Sequence, residues 1–158
     1  MISIVIPTYN HLEDALKPCL ENVLKYTHLA DKEVIIVANG CTDGTRAYLD
    51  SLNVPNLKYL WYDNPIGYIR AVNAGLKESK GEYVVLLDND SILSEQPVDL
   101  WINILHQPFS DPLVGASSPF AHEYEGLGLV LHSGCTMYRK SILDKIGFFE
   151  EIYNPGYL

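Results

Sequence analysis

Several absences narrow this sequence before any motif is read. It contains no apolar run near the roughly 20 residues that cross a bilayer as a helix. Its N-terminus has no basic segment ahead of an apolar one, since Met1 runs straight into Ile2–Ile6, so a cleavable leader is not expected. Basic residues are scarce: 11 Lys and Arg stand against 20 Asp and Glu, a formal net charge of −9. Those 11 are scattered, whereas a nucleic-acid backbone is gripped by clustered cations. Nucleic acid is therefore not an expected partner. Cysteine is rare and odd in number, at Cys19, Cys41 and Cys135, with no metal-ligand spacing. Free thiols in a reducing, cytoplasmic setting are the expectation. The five histidines (11, 28, 106, 122 and 132) have no ligand spacing either, and Ser133 beside His132 has no partner for a nucleophilic triad. Asn89-Asp90-Ser91 matches a glycosylation sequon, which without a secretory signal is read as chance. Repeats, low-complexity tracts and linkers are also missing.

What is present is one domain's worth of chain, 158 residues with 47% hydrophobic content, enough to bury roughly 70% of its unfolded surface. Apolar runs at Ile2–Ile6, Glu33–Ala38, Leu57–Tyr62 and Tyr83–Leu87 read as buried strands. Pro7 ends the first. Between them lie helix-like segments. The first carries Leu12, Leu16, Leu20 and Leu24 at helical spacing, with Asn10 as its expected N-cap, Glu13 three residues on, and Pro18 kinking or delaying it. A turn-rich "NGCTDGT" opens a short second helix through Leu52, and a third runs from about Gly67 to Lys77 after the Asn64-Pro65 break. Nearly continuous apolar strands alternating with helices predict a mostly parallel, Rossmann-like α/β sheet covered on both faces. From Leu93 the pattern loosens. A helix is expected over Pro97–His106, a short strand over Leu113–Ala116, one or two strands over Gly126–Tyr138 and a helix over Lys140–Ile146, followed by the aromatic loop "GFFEEIYNPGYL".

In an open parallel sheet, ligands bind beyond the carboxyl ends of the strands. Four polar groups fall there: Pro7-Thr8-Tyr9-Asn10, Asn39-Gly40, Asp63-Asn64 and Asp88-Asn89-Asp90. Together they predict the rim of one cleft. Asp88 and Asp90, two residues apart at a strand end, can converge on a hard cation such as Mg²⁺ or Mn²⁺. On composition alone, an Asp-Asn-Asp turn in solvent is an equal reading. Asn39 offers both an amide donor and a carbonyl acceptor to a nucleobase edge, though Asn-Gly is also a strong turn dipeptide. The helix opening at Gly67 can aim backbone N–H groups at an anion, with Arg70 near it.

In combination these stretches resemble the family 2 glycosyltransferases of the GT-A fold. "SIVIPTYN" is similar to the family's opening strand and nucleotide-contacting loop, and "EVIIVANGCTDGT" to its second motif. "NPIGYIRAVNAGLKESKGEYVVLLDNDSIL" resembles its Asn-x-x-Gly…Asn-x-Gly helix running into a metal-binding Asp-x-Asp strand end, and "GCTMYRKSILDKIGFFEE" its acceptor-side segment. The resemblance implies nucleotide contacts at Pro7, Thr8, Tyr9, Asn39, Asn64, Gly67, Asn73, Asp88 and Asn89, with Asp90 as metal ligand and Asp88 as its companion. It implies inverting transfer of a sugar from a nucleotide-diphosphate sugar to an acceptor hydroxyl, with Mn²⁺ or Mg²⁺ as cofactor. A UDP-sugar ranks first as donor, ahead of GDP- and dTDP-sugars, and the acceptor would be a saccharide or lipid-linked molecule. Residues 1–92 would form the nucleotide-binding half of a single domain and 93–158 the acceptor-side half. Polysaccharide or glycoconjugate synthesis, with peripheral association at the inner membrane face, is the implied setting.

Two departures stand out. Where the family often has an Asp pair, this chain reads Ala38-Asn39, which leaves uracil, thymine and guanine open. The family's catalytic base also follows a loop like "FFEEIYNPGYL", so it is expected just beyond Leu158, in a truncated domain, and neither Glu150 nor Glu151 takes its place. The alternative from another class is a non-catalytic nucleotide-sugar-binding module of the same fold. A nucleotidyltransferase ranks below both, because "IPTYNHLE" has no Gly-rich, Lys- or Arg-bearing phosphate loop.

Overall fold

The computed structural model describes residues 1–119, 121–124, 128–131 and 134–154. In chain order the elements are β1 (Ile2–Thr8), a π-helical turn (Leu12–Leu16) running into α1 (Lys17–Tyr26), β2 (Lys32–Asn39), α2 (Thr45–Ser51), β3 (Leu57–Tyr62), α3 (Tyr68–Glu78) and β4 (Tyr83–Leu87). Then follow α4 (Leu100–His106), β5 (Ala116–Ser117), β6 (Ala121–Tyr124), β7 (Gly128–Leu131), β8 (Cys135–Arg139) and α5 (Lys140–Ile146). Strands β3-β2-β1-β4-β8-β5 form one sheet in that order. The first four are parallel, while β8 is antiparallel to both β4 and β5. β6 and β7 form a separate hairpin.

The strands are apolar on both sides because both sides are covered. Ile4 and Ile6 of β1, Val34, Ile36 and Ala38 of β2, and Val85 and Leu87 of β4 pack into one cluster with Leu20 and Val23 of α1, Leu49 of α2 and Trp101 and Leu105 of α4. The alternate residues, Val5, Ile35, Val37, Val84 and Leu86, pack under Val72 and Leu76 of α3 and Leu143 of α5. This period of two is what a strand's pleat imposes. Each fully buried aliphatic side chain contributes about 1.5–3 kcal/mol. α3 lies hard against the sheet at Gly75, where an added Cβ would sit 2.3 Å from Val5 Cγ1.

Several boundaries differ from expectation. β1 continues through Pro7 to Thr8; Pro7 lies past the last β1–β4 pair, Val5–Leu86, where a missing N–H breaks no ladder to that strand. Asn10 does not cap the first helix. It and His11 take positive φ values of 55° and 57°, and Asn10 Oδ1 instead accepts from Thr42 N at 2.7 Å. The helix-opening N–H of Leu12 donates to Asp43 Oδ2 at 3.0 Å. Pro18 does delay the α-helix: a π turn comes first, and Pro18 falls in the opening turn of α1.

α4 begins at Leu100 rather than Pro97, because Asp99 is left-handed (φ 65°) and donates its N–H to Tyr26 O at 2.9 Å. The strand expected over Leu113–Ala116 is the two-residue β5, and Leu113 is exposed. Of the strands expected within Gly126–Tyr138, β7 and β8 are seen. His132, Ser133 and the closing residues 155–158 lie outside the described residues. β6 was not expected. Among the described residues, no helix is long and apolar enough to cross a membrane.

Candidate nucleotide and metal site

The sheet order places a topological switch between β1 and β4, since β2 and β3 extend one way from β1 and β4 lies on its other side. The carboxyl ends of strands at such a point diverge and leave a crevice. A cavity of about 690 Å³ opens there. Its walls are Pro7, Thr8 and Tyr9 after β1, Asn39 at the end of β2, and Asp88, Asn89 and Asp90 after β4. His11, Asp14, Ala15, Pro65, Gly67 and Tyr68 complete it.

The acidic loop is built with care. Asp88 N–H donates to Gly134 O at 2.9 Å, and its carbonyl accepts from Ser91 N–H at 3.1 Å and from Cys19 Sγ at 3.7 Å. Tyr68 Oη donates to Asp88 Oδ1 at 2.7 Å. Burial and the adjacent Asp88 carboxylate together push the Tyr68 phenol well above its usual range, so it acts as a donor. Asn89 Nδ2 donates to Thr8 Oγ1 at 3.0 Å, tying the β4 loop to the β1 loop. Below them, the Cys19 thiol is pushed up to about 12 by burial and then by the charges of Asp90 and Asp88. Cys135 is raised to about 12 by burial and Asp88. Both thiols stay protonated and inert as nucleophiles.

Asn39 is buried, with 7% of its surface exposed, and its Oδ1 accepts from Ile66 N–H at 2.7 Å. That bond fixes the amide's orientation and turns Nδ2 toward other partners. The next peptide is held as well, where the Ile66 carbonyl accepts from Asn154 Nδ2 at 2.9 Å. Gly67 (φ 90°) precedes α3, and a Cβ there would stand 2.1 Å from Asn154 Oδ1. Gly40 (φ 76°) admits the neighbouring loop just as closely, its Cβ position lying 2.3 Å from Pro65 N.

Pro7, Thr8, Tyr9, Asn39, Gly67, Asp88, Asn89 and Asp90 are thus brought together, and two expected members are not. Asn64 is exposed and absent from the cavity wall, as is Asp63, whose Oδ1 accepts from Trp61 Nε1 at 3.0 Å. The chain reaches the cavity one residue later, through Pro65. Asn73 is 3% exposed and points at the aromatic loop: its Nδ2 donates to Phe149 O at 2.8 Å and its Oδ1 accepts from Phe149 N–H at 3.0 Å. Arg70 is engaged there too, with Nε 3.2 Å from Glu151 Oε2.

Nothing in the sequence singles out Tyr68, His11 or Asp14. His11 Nδ1 lies 3.0 Å from Asp14 Oδ2, and this contact lowers the Asp14 carboxyl below its ordinary range. The signal available in principle was the positive φ of Asn10 and His11, which turns that pair into the cavity, but composition does not reveal it. Asp43 was also missed. Its Oδ1 accepts from Thr45 N–H at 3.1 Å while Oδ2 takes Leu12 N–H, so one carboxylate starts two helices.

Residues 3–115 match the family model described as Glycosyl transferase family 2. A poly(ribitol-phosphate) beta-glucosyltransferase of Bacillus spizizenii is 34% identical over 124 residues, which cover 72% of this chain and 18% of that protein. Among solved structures, the mannosyltransferase PcManGT from Pyrobaculum calidifontis, in complex with GDP-Man and Mn²⁺, superposes with a TM-score of 0.78 at 23% identity, covering 94% of this chain and 47% of that one. Staphylococcus aureus TarS 1–349 in complex with UDP gives 0.72 at 22%, covering 98% of this chain and 52% of the other. The chain therefore spans about half or less of the length of each. At these identities, the two structural likenesses speak to the fold.

Proposed function

This chain belongs to glycosyl transferase family 2, and from that premise we propose that it binds a nucleotide-diphosphate sugar in the switch-point cavity for inverting transfer of the sugar to an acceptor hydroxyl. The observation that carries the reading is the cavity's charge. Asp14, Asp88 and Asp90 line it, and among the described residues no lysine or arginine does. Two unit charges about 4 Å apart interact by on the order of 4 kcal/mol at an effective dielectric near 20, so a diphosphate beside that acidic loop needs a cation between them.

The residues present fit such an ion. Among the described residues there is no cage of three or more His, Cys, Asp and Glu side chains. Mg²⁺ and Mn²⁺, however, bind through one or two carboxylates, with substrate phosphates and water completing the shell. Asp90 would hold the ion with Asp88 as companion, and when bound it offsets charge developing on the leaving diphosphate. The protein's own contribution is orientation. Pro7 and Thr8 border the base, Asn39 presents Nδ2 to a base carbonyl, and Asn89 keeps the β1 and β4 loops in register. A UDP-sugar ranks first as donor, with GDP- and dTDP-sugars next, and surface-polysaccharide assembly is the proposed setting. Residues 1–92 would supply the donor side and 93–158 the acceptor side.

Calorimetry with UDP, GDP, dTDP and their sugars, with and without Mn²⁺, tests this. Binding should depend on the metal, and that dependence should vanish in Asp90→Ala. Binding of no nucleotide, or binding indifferent to both metal and Asp90, would overturn the donor-site reading.

A further inference from the structure

We propose that Tyr68 is a positioning residue for the metal centre: its hydroxyl fixes the Asp88 carboxylate in the orientation that meets the cation. The inference rests on the reading of Asp88 and Asp90 as the cation-holding pair. The two acids are held very differently. The main chain of Asp88 is pinned through three hydrogen bonds, to Gly134, Ser91 and Cys19. Its side chain is engaged as well, with the Tyr68 hydroxyl donating to Oδ1 at 2.7 Å. Asp90 is exposed, and among the described residues its carboxylate makes no hydrogen bond or ion pair. One acid is oriented before the ion arrives; the other can swing to meet it.

Tyr68 is well placed to hold its partner still. It is the first residue of α3, a helix seated on the sheet at Gly75 with no room for a Cβ. The position of its ring is therefore set by the sheet, and its hydroxyl reports that position to the end of β4. A hydrogen bond that orients a metal-binding carboxylate in this way is worth 10- to 100-fold in metal affinity when removed.

The test is Mn²⁺ titration in the presence of UDP followed by electron paramagnetic resonance, with the affinity for uridine, which has no diphosphate, measured separately in the absence of metal. Tyr68→Phe keeps the ring and removes only the hydroxyl. It should raise the Mn²⁺ half-saturation concentration about tenfold or more and leave metal-free uridine affinity within about twofold. In an Asp88→Ala background the same change should have no further effect on Mn²⁺ binding. A Tyr68→Phe half-saturation equal to wild type overturns the proposal, as does a full additional loss in the Asp88→Ala background. A fall in metal-free uridine affinity that accounts for the whole loss overturns it too, because Tyr68 would then be a nucleotide contact. Failure of the wild type to bind Mn²⁺ with UDP is a different result: it removes the donor-site reading underneath.

Discussion

Replacing Asn73 by alanine separates two roles that its place in an Asn-x-Gly helix leaves open. The family resemblance gives Asn73 to the nucleotide, while the structure turns its amide onto the backbone of Phe149 with bonds of 2.8 and 3.0 Å. Each such bond contributes about 0.5–1.5 kcal/mol net, so Asn73→Ala should weaken the attachment of the 148–154 segment by about 1–3 kcal/mol. The Arg70–Glu151 pair on the same segment is largely exposed on both sides and compensates little. At 1.4 kcal/mol per factor of ten, amide exchange at Phe149, whose N–H donates to Asn73 Oδ1, should accelerate about 5- to 150-fold, as a local opening rather than global unfolding. Hydrogen exchange read by mass spectrometry or NMR on the intact chain gives this directly, with UDP–Mn²⁺ affinity measured in parallel and expected within about twofold of wild type. A tenfold loss of nucleotide affinity with unchanged exchange at Phe149 would refute the reasoning and return Asn73 to the donor site.

Two further outcomes follow from packing and charge. Gly75→Ala gains about 1 kcal/mol of helix propensity, but the added Cβ at 2.3 Å from Val5 Cγ1 and 3.0 Å from Val37 Cγ2 meets two buried, stiff side chains. Overpacking of this kind costs about 1–3 kcal/mol, so thermal denaturation should show a lowered midpoint; a raised one would mean that α3 can lift off the sheet freely. Burial alone would raise the Glu33 carboxyl, yet hydrogen bonds from Ser3 Oγ and Lys80 N, both at 2.7 Å, and the Lys58 ammonium at 3.3 Å leave it below its ordinary value. A depressed folded-state value means stability that is present above the unfolded carboxyl's pKa, about 4.3, and is lost as pH falls through the folded value. Glu33→Gln should therefore lower stability near neutral pH and flatten its decline below about pH 4. A mutant whose acid limb matches the wild type in steepness would show that Glu33 is not its source.

Those parts of the fold governed by a simple period were legible in the sequence. The four parallel strands and the three helices between them follow from side-chain alternation and helical spacing, which the clusters on the two sheet faces reproduce residue by residue. Most of the cavity followed as well, because the parallel sheet forces the ends of β1, β2 and β4 to one edge. Illegible were the places where a polar side chain had several backbone partners to choose from. Asn10 satisfies Thr42 rather than its own helix, Asp43 caps two helices, and Asn39 spends its carbonyl on Ile66. Apart from the local Asp43–Thr45 bond, each choice turns on contacts about 30 residues away, which local composition does not encode. Tyr68 escaped for a related reason. At the start of an apolar helix face an aromatic residue reads as core, and only the packing of α3 shows its hydroxyl reaching Asp88.

The division of labour proposed at residue 92 is not a physical seam, and this bears on how the site would work. β8 pairs along the whole of β4, the acidic loop hangs from Gly134, and Asn73, Arg70 and Ile66 all bind the 148–154 segment. Ile66 is gripped through its N–H by Asn39, at the proposed base end, and through its carbonyl, in the following peptide, by Asn154 of the proposed acceptor-side half. A ligand that tightened or displaced Asn39 would therefore act on Asn154 through the main chain of a single residue, with no domain motion required. Asn154→Ala removes only the acceptor-side half of that grip. It should leave UDP affinity within about twofold, since Asn39 keeps Ile66 N–H, but should abolish any UDP-induced slowing of amide exchange at residues 150–154. If UDP protects those residues equally in wild type and Asn154→Ala, the two halves communicate by another route.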